Sequence, residues 1–379
     1  MIRVSEMVLQ GHPDKFCDQI ADEVIAECVA VDPDAYAQVE VGVWSDQVWL
    51  SGGTCTRAPL RVEIEDVVRR VGARVGYTRG NWIDVTRYGV SSTVCLEIGD
   101  PRRWSEAVND QTVVIGWAGY DARTRHLPPE HYIAHVFREA LTAACAGGEL
   151  DGEGPDGKLL VRAREDDGGW VVEHVLVTIQ HRREVELLDV CRRVERVLRA
   201  AYGCVRASDG RWRVPWDDVE TMVNPNGPLL NGGSDGDNGQ TGRKLVMDFY
   251  GPRVAIGGGA LSGKHLTHID RIGAYAAREA AVHAVTTGAT ECLVRVAYAP
   301  NVGSPLDVTY EMVGRGERRP AAWFDHGELR RRYSTALDYA ALARGGHFFD
   351  PALPWNRPGS GGVAPSADLI PRRARLQIA

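Results

Sequence analysis

Apolar and polar positions follow two periods along this chain, and each period predicts its elements. Residues 18–31 (DQIADEVIAECVAV) carry Ile20, Val24, Ile25, Cys28 and Val31 at the spacing of one helical face. Residues 39–50 alternate on either side of Ser45-Asp46 and predict a hairpin, and residues 62–75 return to helical spacing. Residues 158–164 and 170–179 read as strands joined by the turn Asp166-Asp167-Gly168-Gly169, followed by a helix over 184–201. In the last third, strands are predicted near 245–250, 292–298 and 307–313, with a helix over 272–286. Strand, strand, helix recurs about three times, so the expected class is α+β, sheets with helices on one face, and not a doubly wound parallel sheet. Residues 146–157 read as an exposed acidic connection and residues 356–379 as a disordered tail.

Length and charge narrow the picture. A chain of 379 residues exceeds one ordinary core and implies two or three domains of roughly 100–150 residues. A formal net charge of −7 argues against a broadly basic surface for nucleic acid and favours a small charged ligand. The first residues lack the apolar run of a signal peptide, and no stretch of about 18 uncharged apolar residues occurs, so a cytoplasmic protein with no membrane partner is expected. Eight cysteines without a C-x-x-C pair predict buried free thiols and not a zinc site or a disulfide framework.

Three segments concentrate chemistry: Gly11-His12-Pro13-Asp14-Lys15, residues 236–244 (GDNGQTGRK) and residues 257–264 (GGGALSGK). Glycine lets successive N–H groups point into one concavity, Lys and Arg neutralise phosphate oxygens, and Asp can hold a magnesium ion already bound to them. Any one of these stretches alone could be a solvated turn; three in one chain describe a polyphosphate site. Residues 258–264 satisfy the G-x-x-x-x-G-K part of a P-loop, but His265 stands where that loop needs Ser or Thr. His131 with His135, and His265 with His268, have the spacing of shared metal ligands but no evident third ligand, so hydrogen-bonded histidines are expected.

The string SEMVLQGHPDKFCDQIADEV resembles the N-terminal active-site segment of S-adenosylmethionine synthetases, and GDNGQTGRK and GGGALSGKHLTHIDR resemble their two C-terminal segments. Weaker similarity through NDQTVVIGWA, PDGK, TIQH and NPNG links these anchors in order. The resemblance implies three similar α+β domains around a pseudo-threefold axis: an N-terminal domain at 1–99, a central one at 106–228 and a C-terminal one at 229–357, able to exchange segments, before a tail at 358–379. It implies a homodimer or homotetramer with sites between subunits. It also implies attack by the sulfur of methionine on C5′ of ATP, with the triphosphate then cleaved to pyrophosphate and phosphate, assisted by two Mg2+ ions and K+. By motif match His12 would lie at the leaving oxygen, and Asp14 and Asp270 would bind the two magnesium ions. Lys15, Lys158, Arg243, Lys244 and Lys264 would hold phosphates, and Ala260 would border the nucleotide. Asp237 would be shared by nucleotide and methionine, and Glu40 would bind potassium.

On local grounds alone, Asp14 and Asp270 could instead cap the helices that follow them, and Lys158 and Lys264 could be surface lysines. Departures from the family pattern gather on the acceptor side. Thr54 stands where a glutamate usually faces the methionine ammonium, and Pro101 aligns with a methionine-contacting glutamine. The loop over 99–110 is short, and His268 replaces a lysine. Leu229 and Leu261 replace aromatics near the nucleotide. Three functions are therefore carried forward: methionine adenosylation, adenosylation of another sulfur compound or nucleophile, and a non-catalytic regulatory homologue.

Overall fold

The computed structural model describes residues 1–151, 153–333 and 337–357. In chain order its first part runs β1 (Ile2–Val8), α1 (Pro13–Val31), β2 (Tyr36–Trp44), β3 (Gln47–Thr56), α2 (Ile64–Val75), β4 (Gly89–Ser92), β5 (Cys95–Ile98) and the helical turn α3 (Arg102–Ser105). Then follow β6 (Thr112–Gly119), α4 (Pro129–Gly147), β7 (Glu153–Asp166), β8 (Gly169–His181), α5 (Leu187–Ser208) and β9 (Glu220–Val223). The last part comprises β10 (Gly239–Gln240), α6 (Leu245–Asp248), α7 (Ile269–Thr286), β11 (Ala289–Tyr298), β12 (Asp307–Gly314) and α8 (His326–Arg332).

Three sheets result, each packed with helices, which is the expected α+β class. Each takes a strand from elsewhere in the chain. The order β1-β7-β8-β9 places the first strand antiparallel to β7, from Ile2 opposite Arg164 to Val8 opposite Lys158. The order β10-β2-β3-β4, with β5 also on β3, brings Gly239 opposite Val43, and the order β12-β11-β6 pairs β6 with β11. Alternation along β2 explains its placement: Ala37, Val39, Val41 and Val43 are buried towards α1 and α2, while Glu40 and Trp44 face outward. A second core lies between α4, α5 and their sheet, and a third surrounds α7, whose Ile269 to Ala281 are buried all round.

Several local expectations are corrected. The helix read at 18–31 begins at Pro13, because His12 caps it and proline suits a first helical position. The apolar run at 245–250 is a helical turn and not a strand: the Asp248 amide donates to the Lys244 carbonyl, and the turn brings the Asp248 carboxylate to Lys15. The stretch 146–157 is not simply exposed, since Glu153, Gly154 and Pro155 are buried at the start of β7. Asn356 is likewise structured, accepting from Arg278 Nε at 3.0 Å, whereas 358–379 lies outside the described residues. The cysteines are free, but only Cys17, Cys28, Cys55 and Cys292 are buried.

Candidate active site

Asp14, Asp18 and Asp22 recur every fourth residue, which sets three carboxylates on one face of α1. Each accepts a backbone amide from a distant glycine-rich loop. Gln240 N donates to Asp14 Oδ1, Gly242 N to Asp18 Oδ1 and Gly263 N to Asp22 Oδ1, all at 2.9 Å. Asp22 is further clasped by both Arg271 nitrogens, at 2.8 and 3.0 Å, with neither side chain reaching solvent. Helix α1 is thereby the spine on which both loops hang. Gly239 permits the close approach: a Cβ there would fall 2.3 Å from the Pro13 carbonyl carbon.

One cluster forms at the start of α1. His12 caps the helix through Nδ1, which accepts from Asp14 N at 3.2 Å, and its buried Nε2 has no partner among the described residues. Burial, with Lys244 next in effect, pushes the His12 pKa down to about 3, so the ring is neutral. Because Nδ1 accepts, the proton sits on Nε2, a donor aimed away from the helix. Asp14 is bound by the Lys244 ammonium, with Arg243 Nε at 3.5 Å. Burial opposes ionisation of Asp14, but Lys244 and the Gln240 amide outweigh it and hold the pKa below its ordinary value. The charges of Lys158, exposed on β7, and Asp237, on the 236–244 loop, both act on His12. A cavity of about 230 Å³ opens beside Arg243 and Lys244, bounded by Glu6 and Met247.

A second cluster repeats the first at the start of α7. His268 caps that helix through Nδ1, accepting from Asp270 N at 3.2 Å, and its Nε2 is again buried and without a partner among the described residues. Asp270 is bound by the ammonium of Lys264, from the second glycine-rich loop. Burial, then His265 and Lys264, lower the His268 pKa to about 2. Glu40, on the outer face of β2, feels the charge of Lys264, while partial desolvation raises its pKa. The loops meet where Gly242 faces Ala260, whose Cβ would lie 2.9 Å from a Cβ at 242. Among the described residues no ion pair crosses from one cluster to the other.

Most of the residues singled out from the sequence thus gather in two clusters: His12, Asp14, Lys158, Asp237, Arg243 and Lys244 in one, and Glu40, Lys264, His268 and Asp270 in the other, with Ala260 between the loops. The caps are the histidines, not the aspartates. Two residues are placed elsewhere. Lys15 is fully buried and gives its ammonium to Asp18 at 2.9 Å and Asp248 at 2.8 Å, which leaves it no surface for a phosphate. Thr54 lies on the helix-packed face of β3, where its hydroxyl bonds the Cys28 thiol. Asp18, Asp22 and Arg271 went unread, although the spacing in DKFCDQIAD carries the first two. Asp156 was also missed; it accepts from Gly233 N at 2.8 Å, and burial raises its pKa to about 6.

Residues 1–96 match the family model described as S-adenosylmethionine synthetase, N-terminal domain, and residues 231–357 that described as S-adenosylmethionine synthetase, C-terminal domain. The chain is 35% identical over 319 residues to S-adenosylmethionine synthase 1 of Rhodospirillum rubrum, covering 82% of this chain and 80% of that one. It is 32% identical over 392 residues to the S-adenosylmethionine synthase of Desulforudis audaxviator, covering 93% and 95%. The corresponding protein of Bifidobacterium adolescentis is 32% identical over 386 residues, with 91% and 92% covered.

Proposed function

The chain belongs to the S-adenosylmethionine synthetase family, and on that premise we propose that it transfers the adenosyl group of magnesium-bound ATP to the sulfur of methionine. The triphosphate released is then cleaved to pyrophosphate and phosphate. The observation that carries this reading is the repeated unit: a histidine-capped helix, an aspartate as its second residue, and a lysine from a glycine-rich loop resting on that aspartate. A helix N-terminus with adjacent cations suits a polyphosphate.

A thioether needs no general base to become a sulfonium, so the demand on the protein is to stabilise the departing triphosphate and align sulfur, C5′ and leaving oxygen. His12, neutral with its proton on Nε2, donates to the leaving oxygen without having to lose a charge. Lys158, Arg243 and Lys244 take phosphate oxygens on one side and Lys264 on the other. Asp14 and Asp270 fit magnesium in chemistry and in space: both are carboxylates at helix starts, and Gly259 leaves Asp270 clear, since a Cβ there would lie 2.3 Å from its Cγ. When bound, magnesium neutralises charge on the triphosphate; Glu40 supplies an oxygen ligand suited to potassium.

Homo-oligomeric assembly belongs to the same reading. Trp44 and Trp49 are about half exposed on the outer face of the β2–β3 sheet, beside Glu40, so a second copy seated there would border the site. Among the described residues no helix is long and apolar enough to cross a membrane, and we place the protein in the cytoplasm.

A second reading, a different acceptor, is favoured by one observation. Thr54 is turned to Cys28 and His268 is neutral, so neither presents a charge to an amino-acid head group. The deciding experiment incubates the protein with magnesium ATP and saturating methionine, with and without potassium, and follows products by mass spectrometry. S-adenosylmethionine with phosphate and pyrophosphate supports the first reading. Triphosphate loss without that product supports the second, and neither ATP binding nor turnover refutes both.

A further inference from the structure

Behind the second glycine-rich loop lies a cavity that the site described so far does not use. It opens between the last turns of α1, residues 33–35, α8 and residues 337–339, and holds about 780 Å³. That volume is within the range of about 300–1,000 Å³ that takes small molecules. Ala26, Val29, Leu266, Leu337 and Tyr339 give it apolar walls, Arg330 and Arg331 stand on its α8 side, and Asp34 is the one carboxylate among the described lining residues. The charges around it do not cancel. Asp34 is taken by Arg57 at 2.9 Å and Arg331 by Glu328, whereas Arg330 has no carboxylate partner among the described residues. Arg330 Nη1 donates to the Glu106 carbonyl at 3.1 Å, and its other N–H groups remain for a ligand. Burial lowers the pKa of His265, also on the wall, to about 4, so that ring adds no charge.

We infer that this cavity binds a small amphipathic anion, an apolar body bearing one carboxylate, and that its occupancy acts on the second glycine-rich loop. The walls take the body, and Arg330 supplies the planar fork that matches a carboxylate. The site is separate from the two clusters, since Asp14, Arg243, Lys244, Lys264 and Asp270 do not line it. Two of its walls nevertheless support Lys264. His265 and Leu266 follow that residue directly in the chain. Tyr339 lies under the Arg271 guanidinium, 4.8 Å from ring centroid to Cζ, and Arg271 Nη1 donates to the Lys264 carbonyl at 2.8 Å. A ligand pressing on these walls therefore bears on the lysine that rests on Asp270. Binding to the cavity stands by itself; its effect on ATP rests on the reading of Lys264 as a phosphate ligand.

The test is calorimetric titration of the full chain with naphthoate and, in parallel, with its uncharged amide. One naphthoate per chain is expected, with the amide bound about tenfold or more weakly. R330Q is expected to weaken naphthoate by about tenfold or more while changing the amide little, and V29W, which fills the cavity, to abolish binding of both. The comparison of acid with amide needs no substitution, which covers the case in which V29W does not fold. Saturating naphthoate is expected to shift the affinity for magnesium ATP by about fivefold or more in the parent and not in V29W. Equal affinity for acid and amide, unchanged naphthoate binding in R330Q or in well-folded V29W, or no binding at all overturns the assignment. No binding together with a loss of light-scattering mass in V29W also overturns it, by making a second copy the occupant. Naphthoate binding with an unmoved ATP affinity overturns the coupling to the loop. The functional reading fails separately, when the unsubstituted chain does not bind ATP, and the naphthoate titration still decides the cavity.

Discussion

Replacing Asp22 by Asn tests whether α1 is the spine of the site. Both Asp22 and Arg271 are inaccessible to solvent, and the two bonds between them, at 2.8 and 3.0 Å, join the third turn of α1 to the first turn of α7. Burial alone would lower the Arg271 pKa and Asp22 raises it, but a guanidinium is protonated by its intrinsic basicity, so it remains charged when Asp22 is replaced. Asparagine keeps an oxygen for the Gly263 amide but leaves that buried charge uncompensated, a change that typically destabilises by about 3–5 kcal/mol. That is a large share of a net stability of about 5–15 kcal/mol. The denaturant midpoint of D22N should fall accordingly, and affinity for magnesium ATP should fall with it, because Gly263 adjoins Lys264. A double variant D22L/R271M, which removes both charges, is expected to recover most of the stability but not the nucleotide affinity. The reasoning is refuted if D22N lies within about 1 kcal/mol of the parent, since a buried unpaired charge cannot be that cheap. In that event the Lys264 carbonyl at 2.8 Å and the Tyr275 hydroxyl at 3.1 Å suffice for Arg271.

Three further outcomes are expected. K244M removes the cation on Asp14 and should weaken ATP binding by about 1.5–3 kcal/mol, one to two powers of ten by calorimetry; an unchanged affinity would place the phosphates elsewhere. Burial lowers His126 to about 4 and His131 to about 3, below the unfolded value near 6.5. In the unfolded chain both take up protons below that value while the folded chain stays neutral. Their contribution is thus complete above about pH 6.5 and lost as pH falls through the folded values; equal denaturant midpoints at pH 7.5 and pH 5 would contradict this. W44K/W49K should reduce the mass seen by light scattering to that of one chain, and retention of the parental mass would move the interface off this sheet face.

What was legible in the sequence is what local periodicity controls. The β2–β3 hairpin and the β7–β8 pair were readable because one face of each is apolar at the matching period. The start of α1 was not, because pattern reading takes polar residues as exposed, and Asp14, Lys15, Asp18 and Asp22 are all buried. Beyond the local Lys15–Asp18 pair, their cost is met by amides, cations and, for Lys15, the Asp248 carboxylate, all more than two hundred residues away, contacts that no window of sequence contains. The run LVMDFY is apolar apart from Asp248 and fits strand or helix equally; the Lys15–Asp248 pair decides it. Motifs point to cations and carboxylates that the fold gathers, but not to their orientation: Lys15 faces inward, and strand alternation sends Thr54 to the helices, a parity countable from Val48 and Leu50 on the same strand.

Orientation also bears on the acceptor. Among the described residues the second cluster sets Asp110, Asp270 and Glu40 against Lys264, while Arg271 is committed to Asp22 and His268 is uncharged, so without a metal it disfavours an anionic group. A divalent ion on Asp270 would reverse that balance and give an oxygen of the acceptor or of the triphosphate a positive partner. A lysine at 268 would then be superfluous, and its replacement by histidine need not weaken carboxylate recognition. The two acceptor readings separate on this point. If methionine is the acceptor and its carboxylate is held through that ion, D270N should raise its KM as well as lower metal affinity. If D270N impairs metal binding and triphosphate cleavage but leaves the KM for methionine unchanged, the amino-acid carboxylate is not recognised there, and the acceptor is one that does not need it.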